Sequence, residues 1–122
     1  MGVRQPLAVL AGGWAEQRAL RLLLQCGWCL LDRNWRCRWG ELDLVLSKRR
    51  RLLVVEVKGR RSGVDGWGTA ALGAPKRRRL QCALACWQAA HADRAGDAAE
   101  LVYALVPLPP ARGAVRWIRV SA

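Results

Sequence analysis

Two short runs of alternating apolar residues constrain this chain most strongly, because their pattern is typical of a β-hairpin. Residues 40–47 and 52–58 carry leucine or valine at alternating positions, and a basic four-residue turn joins them. Side chains of a strand alternate between faces, so apolar residues meet when Leu44 pairs with Val55, and Leu42 then shares the face of Leu44. A shift by one residue would mix the faces. The pattern therefore predicts this register or one displaced by two residues.

The opposite face of this hairpin carries charges where burial is expected. In the predicted register Asp43 lies opposite Glu56, and Glu41 lies opposite Lys58. Adjacent carboxylates repel each other, and a divalent cation with a preference for oxygen ligands would compensate them. Lys58 would then stabilise an anionic transition state at the same site. The alternative is an exposed face on which Glu41 pairs with Lys58 and Asp43 pairs with the basic turn.

Helical patterns flank the hairpin, and each has a charged residue on its apolar side. Residues 14–26 predict a first helix, with Glu16 on its apolar stripe. Residues 75–91 predict a second helix, whose apolar stripe begins at Lys76. Both charges have a simpler interpretation. Glu16 would interact favourably with the helix dipole, and Lys76 would belong to a solvated helix end.

The order of predicted elements is α-β-β-β-α-β-β, which predicts an α/β fold with a mixed sheet. The length of 122 residues is that of one domain, so we expect a single domain over residues 1–122. A glycine-rich loop is expected over residues 59–74. The predicted strands cover residues 28–37, 40–47, 52–58, 101–106 and 114–120.

The net charge of +12 favours a polyanionic partner. Of the 21 basic residues, 14 lie between Arg33 and Arg79, together with only four of the nine acids. A GC-rich coding sequence would raise the arginine content by itself, but it would not concentrate the charge. The apolar content of 52% excludes disorder, and no apolar run approaches the ~20 residues of a membrane span.

Five short motifs resemble a known family, the YraN-like family of small bacterial proteins that are predicted endonucleases. This family is distantly similar to archaeal Holliday junction resolvases. The similarity covers about two thirds of the chain. The motifs are G-W-A-E at 13–16, D-R-N-W-R at 32–36, G-E-L-D-L-V at 40–45, L-V-V-E-V-K at 53–58 and K-R-R-R-L at 76–80.

The resemblance implies a restriction-endonuclease-like three-layer core with a PD-(D/E)XK site. It implies that Mg²⁺ or Mn²⁺ assists the hydrolysis of phosphodiesters in DNA, with branched or damaged DNA as candidate substrates. The K-x-R motif is kept at residues 58–60, whereas Val102 stands where the family usually has aspartate. The implied catalytic residues are Glu16, Asp43, Glu56 and Lys58, and the implied metal ligands are Asp43, Glu56 and the carbonyl group of Val57.

A set of basic and aromatic residues around this site is expected to contact nucleic acid. The set consists of Arg36, Arg38, Arg60, Arg61, Trp67, Lys76, Arg77 and Arg79. Trp35 and Trp39 would either stack on bases or pack in the core. DNA is the expected partner, with RNA as the alternative, and a homodimer is expected by analogy with junction resolvases. A module that binds nucleic acid without cutting it is the alternative function.

The five cysteines leave two alternatives. Cys26, Cys29, Cys82 and Cys86 would bind zinc if the first strand met the second helix. Reduced thiols that pack as small apolar side chains are favoured over zinc. The odd number of cysteines and the lack of an export signal predict a cytoplasmic protein.

Overall fold

The computed structural model describes residues 7–60 and 73–120. Over these ranges the helices and strands follow the predicted order. None of the described helices is both long and apolar enough to cross a membrane. The elements are α1 (Leu7–Gln25), β1 (Cys29–Cys37), β2 (Gly40–Lys48), β3 (Arg51–Arg60), α2 (Ala74–Ala90), a short 3₁₀ turn (Ala92–Arg94), β4 (Ala98–Pro107) and β5 (Arg116–Arg119).

The five strands form one mixed sheet in the order β1-β2-β3-β4-β5. Strands β3 and β4 are parallel, and all other neighbouring pairs are antiparallel. A parallel pair needs a long crossover connection, which α2 supplies. Because α1 packs on one face of the sheet and α2 on the other, the chain has the restriction-endonuclease-like three-layer core that its sequence predicts.

The apolar core lies on both faces of β3, whose residues 52–55 are all buried. A strand that is buried on both faces reads as a continuous apolar run, as Leu52–Val55 does. Side chains on the α1 face include Ala15, Ala19, Leu20, Leu23, Leu44, Leu46, Leu53 and Val55. Side chains on the α2 face include Leu42, Val45, Leu52, Val54, Leu80, Ala83 and Trp87.

The predicted hairpin register is confirmed from the Leu44–Val55 pair to the turn. The expectation that Leu42 shares a face with Leu44 is wrong, because Leu42 packs on the α2 side and Leu44 on the α1 side. The alternation breaks at Asp43. On the neighbouring strand β1, Asn34 has a left-handed backbone with φ of 53° at the same level. The alternation of β2 and the extended backbone of β1 are therefore both interrupted at the level of Asp43.

Helix α1 begins at Leu7 and not at residue 14 as predicted. The alanine- and leucine-rich residues 7–11 have high helix propensity, which outweighs the cost of about 1 kcal/mol for each of the two following glycines. Glu16 consequently lies in the helix interior, and its interpretation as a dipole-stabilised terminal acid is wrong. Gly27 follows the helix with a positive φ of 93°, the conformation in which glycine commonly ends a helix. The boundaries of the other described elements lie within three residues of those predicted.

One polar contact links α2 to β1 inside the apolar layer. The indole Nε1 of Trp87 donates a hydrogen bond of 2.7 Å to Oδ2 of Asp32. The imidazole of His91 stacks on the Trp87 ring at a centroid distance of 3.9 Å, and its Nε2 lies 3.6 Å from the same Asp32 oxygen. A buried indole N–H without this partner would lower the free energy of unfolding, so the contact favours this packing of α2 on the sheet.

We expect Trp87→Phe to lower the free energy of unfolding by about 1–3 kcal/mol, because it leaves Asp32 without its indole donor. Urea unfolding measures this loss. Adding Asp32→Ala to Trp87→Phe should then cost much less than Asp32→Ala costs in the wild type. Trp117→Phe, at a 41% exposed position, is the matched control and should change stability little. If the losses in free energy of unfolding caused by the Trp87 and Asp32 substitutions were additive, the two side chains would not be coupled by this hydrogen bond.

Candidate functional site

An open cleft of about 360 Å³ lies between the sheet and the N-terminal turns of α2. The start of β2 and the later part of β3 form one wall. The first turns of α2 form the other wall. The polar and aromatic side chains that line the cleft are Trp39, Glu41, Asp43, Glu56, Lys76 and Arg79. Three of the charges that the sequence placed at unexpected positions, Asp43, Glu56 and Lys76, therefore line one cavity.

Asp43 stands where the regular ladder between β2 and β3 stops. The last regular pair is Leu44 with Val55, and beyond it the Oδ2 atom of Asp43 accepts a hydrogen bond of 2.8 Å from the backbone N–H of Val57. The carboxylate thus takes the place of a backbone acceptor. This bond holds Asp43 beside Glu56 and fixes its orientation in the cleft.

Burial is the main cause of the unusual acidity of both carboxyl groups. Burial and, second, the negative charge of Glu56 together raise the pKa of Asp43 to about 7, against the opposing effect of the Val57 N–H. Burial also raises the pKa of Glu56, while the positive charges of Lys76 and Lys58 lower it. The two carboxylates therefore lie close enough for the charge of Glu56 to raise the pKa of Asp43.

Two lysines stand on the other side of Glu56. The Nζ atom of Lys76 lies 3.6 Å from Oε1 of Glu56, and that of Lys58 lies 4.0 Å from the same oxygen. Burial and the neighbouring Lys58 lower the pKa of Lys76 to about 8, although Glu56 opposes this change. Lys76 is thus drawn into the cleft, and its interpretation as a member of a solvated helix end is wrong.

The free acceptors of the acid pair suit a divalent cation. The Oε2 atom of Glu56 is buried and has no hydrogen-bond partner among the described residues. No group of three or more His, Cys, Asp or Glu side chains in those residues is placed to hold a metal ion. Asp43, Glu56 and the Val57 carbonyl group would hold Mg²⁺ only with water or phosphate completing its shell, which is the usual coordination of this ion.

A second pair of carboxylates borders the first. With its amide oriented to donate to both, the side-chain nitrogen of Asn34 lies 2.9 Å from Oε1 of Glu41 and 3.2 Å from Oε1 of Glu16. Burial raises the pKa of Glu16, and the charge of Asp43 adds to this effect. The left-handed conformation of Asn34, which asparagine tolerates better than most residues, thus positions an amide between two acids. Glu16 is thereby brought close to Asp43.

Arginines neutralise these outer carboxylates. The Nε atom of Arg36 donates to Glu41 at 2.9 Å, and that of Arg33 donates to Glu16 at 3.3 Å. The alternative in which Glu41 forms a surface pair with Lys58 is therefore wrong. Arg36, which was predicted to bind nucleic acid, has an intramolecular partner at the rim of the cleft.

The other predicted nucleic-acid contacts occupy different places. Arg79 lines the cleft, and the guanidinium of Arg38 lies 4.8 Å from the ring centroid of Trp39. Arg77 and Arg60 each have a buried Nε atom without a partner among the described residues. Arg61 and Trp67 lie outside the described residues, as does most of the predicted glycine-rich loop.

Three residues of the site were missed by sequence reasoning. Glu41 lines the cleft, and Asn34 joins it to Glu16. Tyr103 lies on β4 in register with Glu56, is 1% exposed, and has a hydroxyl group without a partner in the described part of the chain. Three consecutive polar residues, 32–34, interrupt the first predicted strand, and this interruption was a usable signal for Asn34. No sequence signal indicated Tyr103, since the pairing of β4 with β3 depends on a long-range contact.

The cysteines of the zinc alternative do not come together. Cys82 and Cys86 lie on α2, and the cysteine of β1 that interacts with Cys86 is Cys37, at the end of that strand. Cys26 and Cys29 are exposed, and they lie eleven and eight residues before Cys37. All five thiols are free.

The fold and the cleft define a three-layer α/β protein with a carboxylate–lysine cluster on its central strands. The model of the uncharacterised protein family UPF0102 matches residues 15–103, and the chain belongs to this family. The matched range includes Glu16, Asp43, Glu56, Lys58 and Lys76. Membership confirms the family resemblance that the sequence motifs indicated.

The chain is similar over most of its length to several UPF0102 proteins. It is 56% identical over 111 residues to one of Prochlorococcus marinus strain MIT 9303, a match that covers 90% of this chain and 88% of the relative. It is 50% identical over 112 residues to one of Synechococcus sp. strain CC9902, with coverages of 91% and 93%.

We expect Asp43→Asn to stabilise the protein at pH 8 in EDTA by at least about 1 kcal/mol, the equivalent of roughly one pKa unit. The folded protein holds the Asp43 proton more tightly than the unfolded chain, because folding raises this pKa from 3.8 to about 7. The contribution to stability is therefore full below about pH 3.8 and is lost as the pH rises through 7. Asparagine keeps an acceptor for the Val57 N–H.

Thermal unfolding between pH 4 and pH 8 measures this effect. The exposed Asp93→Asn makes the same change in net charge on the 3₁₀ turn and should leave the pH profile unaltered. Mg²⁺ should stabilise the wild type at pH 8 and have little effect on Asp43→Asn. Equal stabilities of wild type and Asp43→Asn at pH 8 would refute the repulsion between the two carboxylates.

Proposed function

We propose that this protein is a metal-dependent endonuclease that hydrolyses phosphodiester bonds of DNA. The observation that carries the proposal is the half-buried pair of Asp43 and Glu56, set beside two lysines in an open cleft. A pair of acids with raised pKa values is costly to maintain, and such groups cluster at functional sites. The motifs shared with a family of predicted endonucleases support the same chemistry.

The acid pair would hold Mg²⁺ or Mn²⁺ together with the Val57 carbonyl group. When bound, the ion supplies polarisation of the phosphate and lowers the pKa of coordinated water. The residues of the chain supply the rest. The Val57 N–H orients Asp43, and the Asn34 amide orients Glu16 behind it.

Lys58 and Lys76 are suited to a phosphate in the cleft. Both ammonium groups lie within 4.0 Å of Glu56, so a phosphate that shares a cation with Glu56 would also lie beside them. The pentacoordinate transition state of phosphodiester hydrolysis carries additional negative charge, which the two ammonium groups would stabilise. Arg79, on the same wall as Lys76, would hold a neighbouring phosphate.

We expect Glu56→Gln and Lys58→Ala each to reduce Mg²⁺-dependent DNA cleavage by at least about 100-fold, the usual cost of removing one electrostatic contact to the transition state. Cleavage of labelled duplex, flap and four-way-junction DNA, with and without EDTA, measures the effect. Glu100→Gln removes an acid from β4 that pairs with Arg51 and Arg119, and it should cleave like the wild type.

The same panel separates cleavage from binding. Retention of DNA binding by Glu56→Gln would assign the lost activity to the chemical step. If the wild type binds these substrates but cuts none of them with Mg²⁺ or Mn²⁺, the endonuclease proposal fails and the module that binds without cutting remains. If single-stranded RNA is cut and DNA is not, the substrate assignment is wrong.

Binding should depend steeply on salt, because the first turn of α2 presents consecutive basic side chains in Arg77–Arg79. We expect the double variant Arg77→Ala/Arg79→Ala to weaken binding and to reduce the slope of log K against log[salt] by about 2. Arg112→Ala/Arg116→Ala removes two exposed charges before β5 and at its start, and serves as the matched control. Equal slopes for both double variants would contradict a specific role of α2.

A further inference from the structure

Trp39 occupies an unusual position at the tip of the β1–β2 hairpin. The strands close with Cys37 paired to Gly40, so that Arg38 and Trp39 form a two-residue turn. The φ angle of 130° at Gly40 accounts for the glycine there. Residues with small or polar side chains are the usual choice in such turns, and a tryptophan has no conformational advantage. The presence of Trp39 therefore requires another explanation.

Core packing does not supply that explanation. Trp35, on the same hairpin, packs against the α2 cluster, whereas Trp39 belongs to neither core cluster and is 39% exposed. Among the large apolar side chains that are exposed in the described residues, it is Trp39 that lines the acidic cleft. A large apolar ring is thus presented to solvent beside the carboxylates.

Arg38 restricts how this ring can be used. Its guanidinium lies 4.8 Å from the centroid of the Trp39 ring, a distance typical of a cation–π contact. The contact occupies one side of the ring and stabilises its position above the turn. A flat ligand would therefore stack on the other side, and a positive charge already lies close enough to attract an attached phosphate.

We propose that Trp39 is a stacking platform for an unpaired nucleobase next to the phosphate that Lys58 and Lys76 would hold beside Glu56. The inference rests on the proposed function and narrows its substrate class. Bases within a duplex are stacked on each other, so an aromatic side chain can stack only on a base that is single-stranded or flipped out. The site thus selects DNA with an unpaired nucleotide at the position of cleavage.

The test compares two ligands and three variants in EDTA, where cleavage cannot occur. Fluorescence anisotropy gives the Kd of a labelled single-stranded oligonucleotide and of a blunt duplex of the same length. Trp39→Ala should weaken single-strand binding about tenfold and alter duplex binding less than twofold, given the usual energy of one stacked base. Trp39→Phe should retain most of the affinity. Trp117→Ala, at a position of similar exposure (41%) on β5, should change neither Kd.

The outcomes distinguish this inference from the proposed function. If Trp39→Ala loses the same affinity for both ligands, Trp39 contributes to general backbone binding. If it loses affinity for neither, Trp39 is not part of the binding site. Either result would overturn the proposal of a stacking platform. Cleavage of DNA by the wild type would then still support the endonuclease. If the wild type binds neither ligand at low salt, the proposed function fails together with the inference.

Discussion

The burial of two adjacent carboxylates, with the repulsion between them as a second contribution, is the constraint on which the rest of the site depends. Asp43 and Glu56 lie side by side in a half-buried cleft where neither is fully hydrated, and folding raises the pKa of both. The surrounding structure partly offsets the cost. The Val57 N–H binds one acid, and Lys58 and Lys76 approach the other. Because these partners stand on β3 and α2, the site exists only when the sheet and the second helix are assembled.

The central position of β3 makes this arrangement rigid. The strand pairs with β2 on one side and with β4 on the other, and both of its faces are covered. Glu56 is in register with Tyr103 across the parallel pair. Strand β4 thus flanks the site within the sheet, although it contributes no charged side chain to the cleft. Glu56 is therefore presented by a strand that is paired on both sides, as a site that must keep two like charges at a short distance requires.

Local pattern was sufficient to predict the hairpin and the neighbouring positions of Asp43 and Glu56, because period-two alternation specifies a register when one face is buried. It failed for Leu42, since the alternation is interrupted at Asp43, where a side-chain hydrogen bond to the Val57 N–H follows the last regular pair of the ladder. It also failed for Tyr103 and for the bridging role of Asn34, which depend on residues distant in sequence. The single domain, the homodimer, the cytoplasmic location and the roles of the site residues stay predictions.

The hydrogen bond from Trp87 to Asp32 has a consequence for the width of the cleft. One wall of the cleft is α2 and the other includes the hairpin that begins with β1, and this bond joins the two elements within the core. The contact thus anchors the C-terminal half of α2 to the hairpin, whereas Lys76 and Arg79 of the cleft lie near the other end of the helix. Any change in the width of the cleft would accordingly pivot about this contact.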